Sequence, residues 1–353
     1  MADVYPFNYE AEVLPVEYRK ALPGIYGMPG MPARKFHTPI TPRENFLRVA
    51  NHQKPVWLPN MNLDFNVVQP EIMADAYARN HGGVDWFGID WTYEPLSAAA
   101  MVTPGTRRLS DIKNWEKELV WPDLDSIDWA QDYEKTYASG MDPDRPTLFV
   151  IVNGFFERLA DLTSFEDAFM YLLEEQEALE AFYTKLCDFH IKLGKIAREY
   201  YHADLITFHD DMGSQKNAFM SPDTFNEVLK PHYQRMNQAF HEMGMYVNFH
   251  SCGNVGVQVP NFADCGFDFW EGQDNCNDKQ ALMDQYGDKL GQVSVFMPPP
   301  DLSDEEFEQT MKNLVTGLGA KGRYITWYGD MNPERAKKGE ELIYSFSREF
   351  YSK

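Results

Sequence analysis

Eight short apolar runs constrain the fold of this 353-residue chain more than any other feature. They are Val56–Pro59, Val84–Ile89, Thr147–Val152, Asp204–Phe208, Tyr246–Phe249, Phe267–Trp270, Gln292–Phe296 and Tyr324–Trp327. All are too short for helices and rich in β-branched and aromatic residues, so they read as strands. Helical patterns separate most of them. Thr41-Pro42-Arg43-Glu44 has the residues of a capping box with Pro at the first helical position, and opens a helix through about Asn51. Ser164 caps a helical region to about Tyr201, and Ser221-Pro222 opens another to about Met243. Ser303 with Glu306 opens a third, and Asn332-Pro333 the last. Strand–helix alternation without an internal repeat predicts an α/β protein, a single-domain (β/α)8 TIM barrel. A doubly wound open sheet is the runner-up, but no Gly-rich phosphate fingerprint is present.

The punctuation of residues 1–40 sets them apart. Pro23-Gly24, Met28-Pro29-Gly30-Met31-Pro32 and Thr38-Pro39 predict extended or loop structure, an N-terminal arm or lid that also offers a contact for a homo-oligomer. Residues 41–353 form the predicted barrel, and the Trp-, Asp- and Pro-rich stretch 91–146 is expected as an insertion over one barrel mouth. The net charge of −22 disfavours nucleic acid, anionic membrane and highly anionic substrates as partners. Four scattered cysteines suggest no disulfide framework, and a reducing cytoplasm is the simpler expectation. The N-terminal residues show no signal-peptide pattern, and the longest apolar run, near Leu96 to Val102, is far too short to span a bilayer.

In a barrel, chemistry collects at the C-terminal ends of the strands. His250-Ser251-Cys252-Gly253 follows directly on Tyr246–Phe249. Residues i and i+2 of a strand share a side, so an imidazole and a thiol converge on one point, which suits zinc. Glu271 closes the next strand and could reach the same point; Cys276 could add a further thiolate, whereas Cys187 and Cys265 read as structural. His209-Asp210-Asp211 after Leu205–Phe208 offers a general base, a hydrogen-bond acceptor for substrate or a partner for a metal-bound histidine. Asn62 lies at the end of the first strand. Trp91, Tyr93, Phe155, Phe156, Met212, Met297, Trp327 and Tyr328 would line an apolar pocket for an uncharged, aromatic substrate.

The segments Thr41–Phe46, Phe208–Gly213 with Ser221-Pro222, and His250–Gly253 resemble the uroporphyrinogen decarboxylase superfamily, and the likeness extends over about residues 41–350. That resemblance implies a (β/α)8 barrel and either a decarboxylase or a corrinoid-linked methyltransferase. The His-x-Cys-Gly signature is similar to the methyltransferase branch, in which zinc is held by a His, a Cys, often a Glu on the next strand, and a final Cys near the last strand. His250, Cys252 and Glu271 match the first three in order, but no Cys follows Cys276. The decarboxylases bind a polycarboxylate through Arg-rich loops near the first strand; the matching stretch here, Pro59–Phe65, has no Arg or Lys.

The resemblance therefore implies a Zn2+-dependent methyltransferase. It would act with cobalamin carried by a partner corrinoid protein, because no cobalamin-binding sequence is evident in this chain. Fewer thiolate ligands leave zinc more acidic, which suits an oxygen leaving group such as the phenolate of an aryl methyl ether. The expected reaction is O-demethylation, with Asp210 or Asp211 orienting the substrate or supplying a proton. The alternatives are a thiol methylase of the same branch, a uroporphyrinogen-type decarboxylase and a non-catalytic ligand-binding barrel.

Overall fold

The computed structural model describes residues 5–96 and 99–353. Seven parallel strands build its main sheet: β1 (Asn66–Val68), β2 (Thr147–Ile151), β3 (Leu205–His209), β4 (Tyr246–Ser251), β5 (Phe269–Gly272), β6 (Gly291–Phe296) and β7 (Tyr324–Tyr328). Their spatial order is their chain order, and every neighbouring pair is parallel. The sheet curls into a TIM-like half-barrel with helices before, between and after its strands. Those that position the sheet are α1 (Pro42–Ala50), α2 (Ala74–His81), α3 (Phe155–Leu162), α4 (Gln176–Tyr201), α5 (Lys230–Glu242), α6 (Val259–Asp264), α7 (Lys279–Tyr286), α8 (Asp304–Thr316) and α9 (Pro333–Tyr351). No described helix is long and apolar enough to cross a membrane.

Register decides what faces inward. Parallel neighbours share a face, so His209, His250, Glu271, Val293 and Ile325 form one layer across β3 to β7. Below it Leu148, Val150, Leu205 and Phe269 pack with Phe46, Val49 and Phe65. Helix α1 supplies the plug at that end. Thr41 caps it, accepting from Glu44 N–H at 3.1 Å, with Pro42 in its first turn. Its last carbonyls, on Val49 and Ala50, accept from the buried Arg323 guanidinium. The alternate residues Phe149, Phe208, Val247, Phe249 and Trp270 point outward into the helix layer.

Among the described residues the main sheet has seven strands, and two of the eight expected runs lie outside its regular ladder. The run Val56–Pro59 contributes through one parallel bridge, Asn60 to Thr326, with Thr326 N–H donating to Pro59 O at 2.9 Å. The run Val84–Ile89 leaves the main sheet. Asp85 Oδ1 accepts from the N–H groups of Phe87 and Ile89, both at 2.9 Å, and closes a turn with Gly88 at φ +77°. That local bonding competes with strand pairing. Gly83–Val84, Asp90–Glu94 and Ala99–Val102 form a separate antiparallel sheet instead.

Within the stretch 91–146, Trp91 lies under the Arg79 guanidinium, and the residues after this small sheet run along a helix. Trp115 packs edge-on to Phe182, and Trp121 and Trp129 join the same aromatic layer with Phe189 and Tyr201, along the flank of α4. The arm is ordered in two parts. Glu12 is buried against α9, where Arg348 Nε reaches Oε2 at 2.7 Å and Tyr344 donates to the same oxygen. Residues 22–30 cross to the C-terminal mouth, where Tyr26 meets His209.

Candidate functional site

Two imidazoles stack at the C-terminal mouth of the sheet. His209 ends β3 and lies opposite His250 in register, with ring centres 4.2 Å apart and planes 13° from parallel. A carboxylate meets the Nδ1 of each ring. Glu157 Oε2 is 2.8 Å from His209 Nδ1, and Glu271 Oε1 is 2.9 Å from His250 Nδ1. A carboxylate only accepts, so each Nδ1 carries a hydrogen, and Nε2 is the ring nitrogen left for other partners.

Both carboxylates are themselves anchored. Asn248 Nδ2 donates to Glu271 Oε2 at 2.9 Å. Arg79, on α2, donates to Glu157 Oε1 at 3.2 Å and to Asn153 Oδ1 at 2.7 Å. Burial would raise the pKa of Glu157, but the His209 and Arg79 charges outweigh it and hold the group below the usual carboxylate range.

Cys252 comes to the free nitrogen of His250. Its Sγ is 3.4 Å from His250 Nε2. Asp211 Oδ1 lies 3.8 Å from the same nitrogen and accepts from Cys252 N–H at 2.7 Å. The turn that seats the thiol needs Gly253. Its φ is +89°, and a Cβ there would lie 2.2 Å from Gly213 O. Gln273 and Asn277 bind the two sides of the Gly253 peptide, at 2.9 and 2.8 Å. Donor atoms of His209, Asp211 and His250 all lie within 4.8 Å of one another.

This donor set fits zinc. Tetrahedral zinc with ordinary Zn–N and Zn–S bonds separates the two ligand atoms by about 3.5 Å. His250 Nε2 and Cys252 Sγ already stand near that spacing. Burial opposes a positive His250 ring, yet Glu271 and Cys252 outweigh it and hold the ring pKa well above its ordinary value. A site that stabilises a proton's charge there also favours a metal cation. His250 and Cys252 would hold the ion, with Asp211 the nearest carboxylate.

The expected residues separate accordingly. His209, Asp211, His250, Cys252 and Glu271 converge. Glu271 meets the other ring nitrogen of His250, so it orients the imidazole, and Asp211 takes the position beside the thiol. Asp210 faces outward, as strand alternation after His209 requires. It caps α3, accepting from Phe156 N–H at 3.0 Å, from Glu157 N–H at 2.8 Å and from Tyr233. Phe155 packs against Tyr183 and Tyr233, Phe156 against Phe169, and Met212 in the same buried cluster. Tyr328 donates to Arg335 O. These four serve packing between sheet and helices. Trp91 lies under the Arg79 guanidinium and donates to Asp85, while Tyr93 and Met297 are exposed. Asn62 and Trp327 do meet, with the indole N–H donating to Asn62 Oδ1 at 2.8 Å. Burial first, and then the Cys252 charge, raise the Cys276 thiol.

Sequence reasoning missed Tyr26, Arg79 and Glu157. Glu157 carried a signal, since it follows the strand end Asn153-Gly154 by three residues. Arg79 sits on a helix between two irregular segments, and Tyr26 in a Pro/Gly-rich arm. Neither has a local pattern that points to the site.

The family model for uroporphyrinogen decarboxylase (URO-D) matches residues 87–329. Among solved structures, a methyltransferase from Methanosarcina mazei aligns with a TM-score of 0.64 at 19% identity, over 88% of this chain and 99% of that one. A sugar phosphate isomerase/epimerase from Parabacteroides distasonis aligns with a TM-score of 0.36 at 13% identity, over 66% and 80%. The likeness to the methyltransferase is one of fold. No curated protein matches the sequence.

Proposed function

The chain belongs to the uroporphyrinogen decarboxylase family, and we propose that it is a zinc-dependent methyltransferase of that family. Its best-fitting reaction moves a methyl group from a small methoxylated aromatic to the cobalt of a corrinoid on a partner protein. The observation that carries this reading is the His250–Cys252 pair, with the imidazole turned toward the thiol by Glu271. The fold shared with the Methanosarcina mazei methyltransferase supports the transferase branch.

Charge argues against the decarboxylase. The mouth holds Glu157, Asp211 and Glu271, and its arginine, Arg79, is already paired with Glu157. A polycarboxylate would meet like charge with no free cationic group among these residues to offset it.

Methyl ethers resist cleavage because the leaving oxygen is basic, and zinc bound here would supply a Lewis acid to take up its developing charge. The chain's own groups arrange the rest. Glu271 fixes the tautomer and plane of His250, and Asp211 holds the Cys252 backbone. The Arg79–Glu157 pair fixes His209 in its stack on His250. Trp327 and Asn62 lock together at the strand ends.

A panel of guaiacol, trimethylamine and methanethiol, each supplied with reduced cobalamin and followed by cobalt absorbance, tests the reading. Guaiacol is expected to methylate the cobalt. Loss of methyl from methyl-cobalamin to a free thiol, without transfer from guaiacol, would instead identify a thiol methylase, which the nearness of Cys276 to Cys252 would explain as a second thiolate. No transfer from any of the three would end the methyltransferase reading. Glu271→Gln keeps an acceptor for the ring but removes the charge, so zinc affinity is expected to fall about 10- to 100-fold. Competition with a chromophoric chelator measures this; an unchanged affinity would show that Glu271 does not tune the site.

A further inference from the structure

The arm brings one more group to this mouth. Residues 22–30 form a loop so tight that a Cβ on Gly24 would lie 1.5 Å from Met28 O, and one on Gly30 1.7 Å from Leu22 O. Tyr26 sits at its tip with φ +52°, in the left-handed region that a bulky side chain adopts only when its surroundings enforce it. Here they do. Gln69 Oε1 accepts from Tyr26 N–H at 2.7 Å and also from Asn80 Nδ2 at 3.2 Å. The following Gly27 lies against the Asn80 backbone, at the end of α2.

The strained residue points its ring at the site. The Tyr26 and His209 ring centres are 6.2 Å apart. The hydroxyl is buried and has no hydrogen-bond partner among the described residues. Glu271, Arg79, Asp211 and Glu157 are the charged groups that act on it. A buried hydroxyl without a partner is uncommon and calls for one supplied from outside the chain. A phenol is both donor and acceptor, and at neutral pH it is ordinarily protonated. Three carboxylates surround the position, so a ligand oxygen that gains negative charge there needs a donor, and Tyr26 has one uncommitted.

We propose that Tyr26 is a substrate contact, donating a hydrogen bond to the ether oxygen of a phenolic ligand bound beside His209 and His250. This rests on the methoxylated-aromatic reading of the site. In that reaction the methyl–oxygen bond breaks with its electron pair going to oxygen, and the pair of the reduced cobalt forms the new carbon–cobalt bond. The donor acts without giving up its proton, because the hydrogen bond strengthens as charge grows on the oxygen. The arm is thus part of the active site, and its strained loop holds the donor in place before substrate arrives.

Tyr26→Phe removes the hydroxyl alone. Phenol is titrated calorimetrically into the zinc-loaded full chain, wild type and variant, and methyl transfer from guaiacol is followed separately. Phenol binding is expected to weaken about tenfold and the transfer rate to fall about 100-fold, with zinc content and Tm unchanged. The larger loss in rate than in binding is what a purely structural role would not produce. Equal phenol affinity in the two proteins, or no phenol binding by the wild type, overturns the proposal. Transfer from the thiol or the amine but not from guaiacol would instead overturn the substrate reading, and the phenol titration would still decide the role of Tyr26.

Discussion

Cys252→Ala is expected to leave the protein unable to retain zinc through gel filtration and to lower methyl transfer by more than about 1,000-fold. Removing a carboxylate that only orients a ligand costs about 10- to 100-fold in metal affinity, and removing the ligand itself should cost more. Sγ is the closest donor to His250 Nε2, at 3.4 Å. Asp211 Oδ1 is held by the Cys252 N–H at 2.7 Å, so it replaces the thiolate only by giving up that bond. The side chain is small and partly exposed, so its truncation leaves only a minor cavity and the fold should persist. Plasma emission for zinc and cobalt absorbance for transfer read the two effects separately. A metal-free Cys252→Ala protein with wild-type activity would dispose of the zinc centre altogether.

Arg158→Met is expected to destabilise the protein by about 3–5 kcal/mol, the cost of leaving a buried charge unpaired. Arg158 is 0% exposed and lies between two acids, with Nη1 2.7 Å from Asp85 Oδ2 and Nη2 on Asp75. Its guanidinium also stacks 4.4 Å over Phe87. Methionine would keep much of the packing but strand both carboxylates. Burial already raises the pKa of Asp75, against the opposing pull of Arg158. Without the arginine the pKa rises further, so the folded state binds protons that the unfolded state has released. Stability of the variant then falls as pH rises from the ordinary carboxylate range toward neutrality. Urea unfolding should show a smaller deficit at pH 5 than at pH 8, and a deficit below about 1 kcal/mol at pH 8 would contradict the argument. The residue also matters to the site: it joins α2, which carries Arg79, to α3, which carries Glu157.

Much of the half-barrel was legible from local pattern. Six of the eight predicted runs overlap strands of the main sheet, and the capping residues Thr41, Ser221, Ser303 and Asn332 all start helices where expected. The run Val84–Ile89 misled because hydrophobicity suits a strand, whereas Asp85 bonds to its own backbone and turns the chain. The strand Asn66–Val68 escaped notice because three residues show no period. Asp210 and Asp211 were indistinguishable as neighbours. Alternation after His209 turns Asp210 out, where the N-terminus of α3 takes both of its oxygens.

The sequence by itself determined the convergence of His250 and Cys252, because the two-residue period of an extended chain is local and survives any packing. It also determined that an acidic chain with no cationic first-strand loop is ill suited to a polyanion. Only the tertiary structure decided the partners of those two residues. Register between β4 and β5 put Glu271 on Nδ1 rather than beside the thiol. The return of the arm set Tyr26 over His209, and the packing of α2 on α3 brought Arg79 to Glu157. Each of these contacts joins residues far apart in the chain, and no periodicity within a segment encodes the distance or angle at which two segments meet.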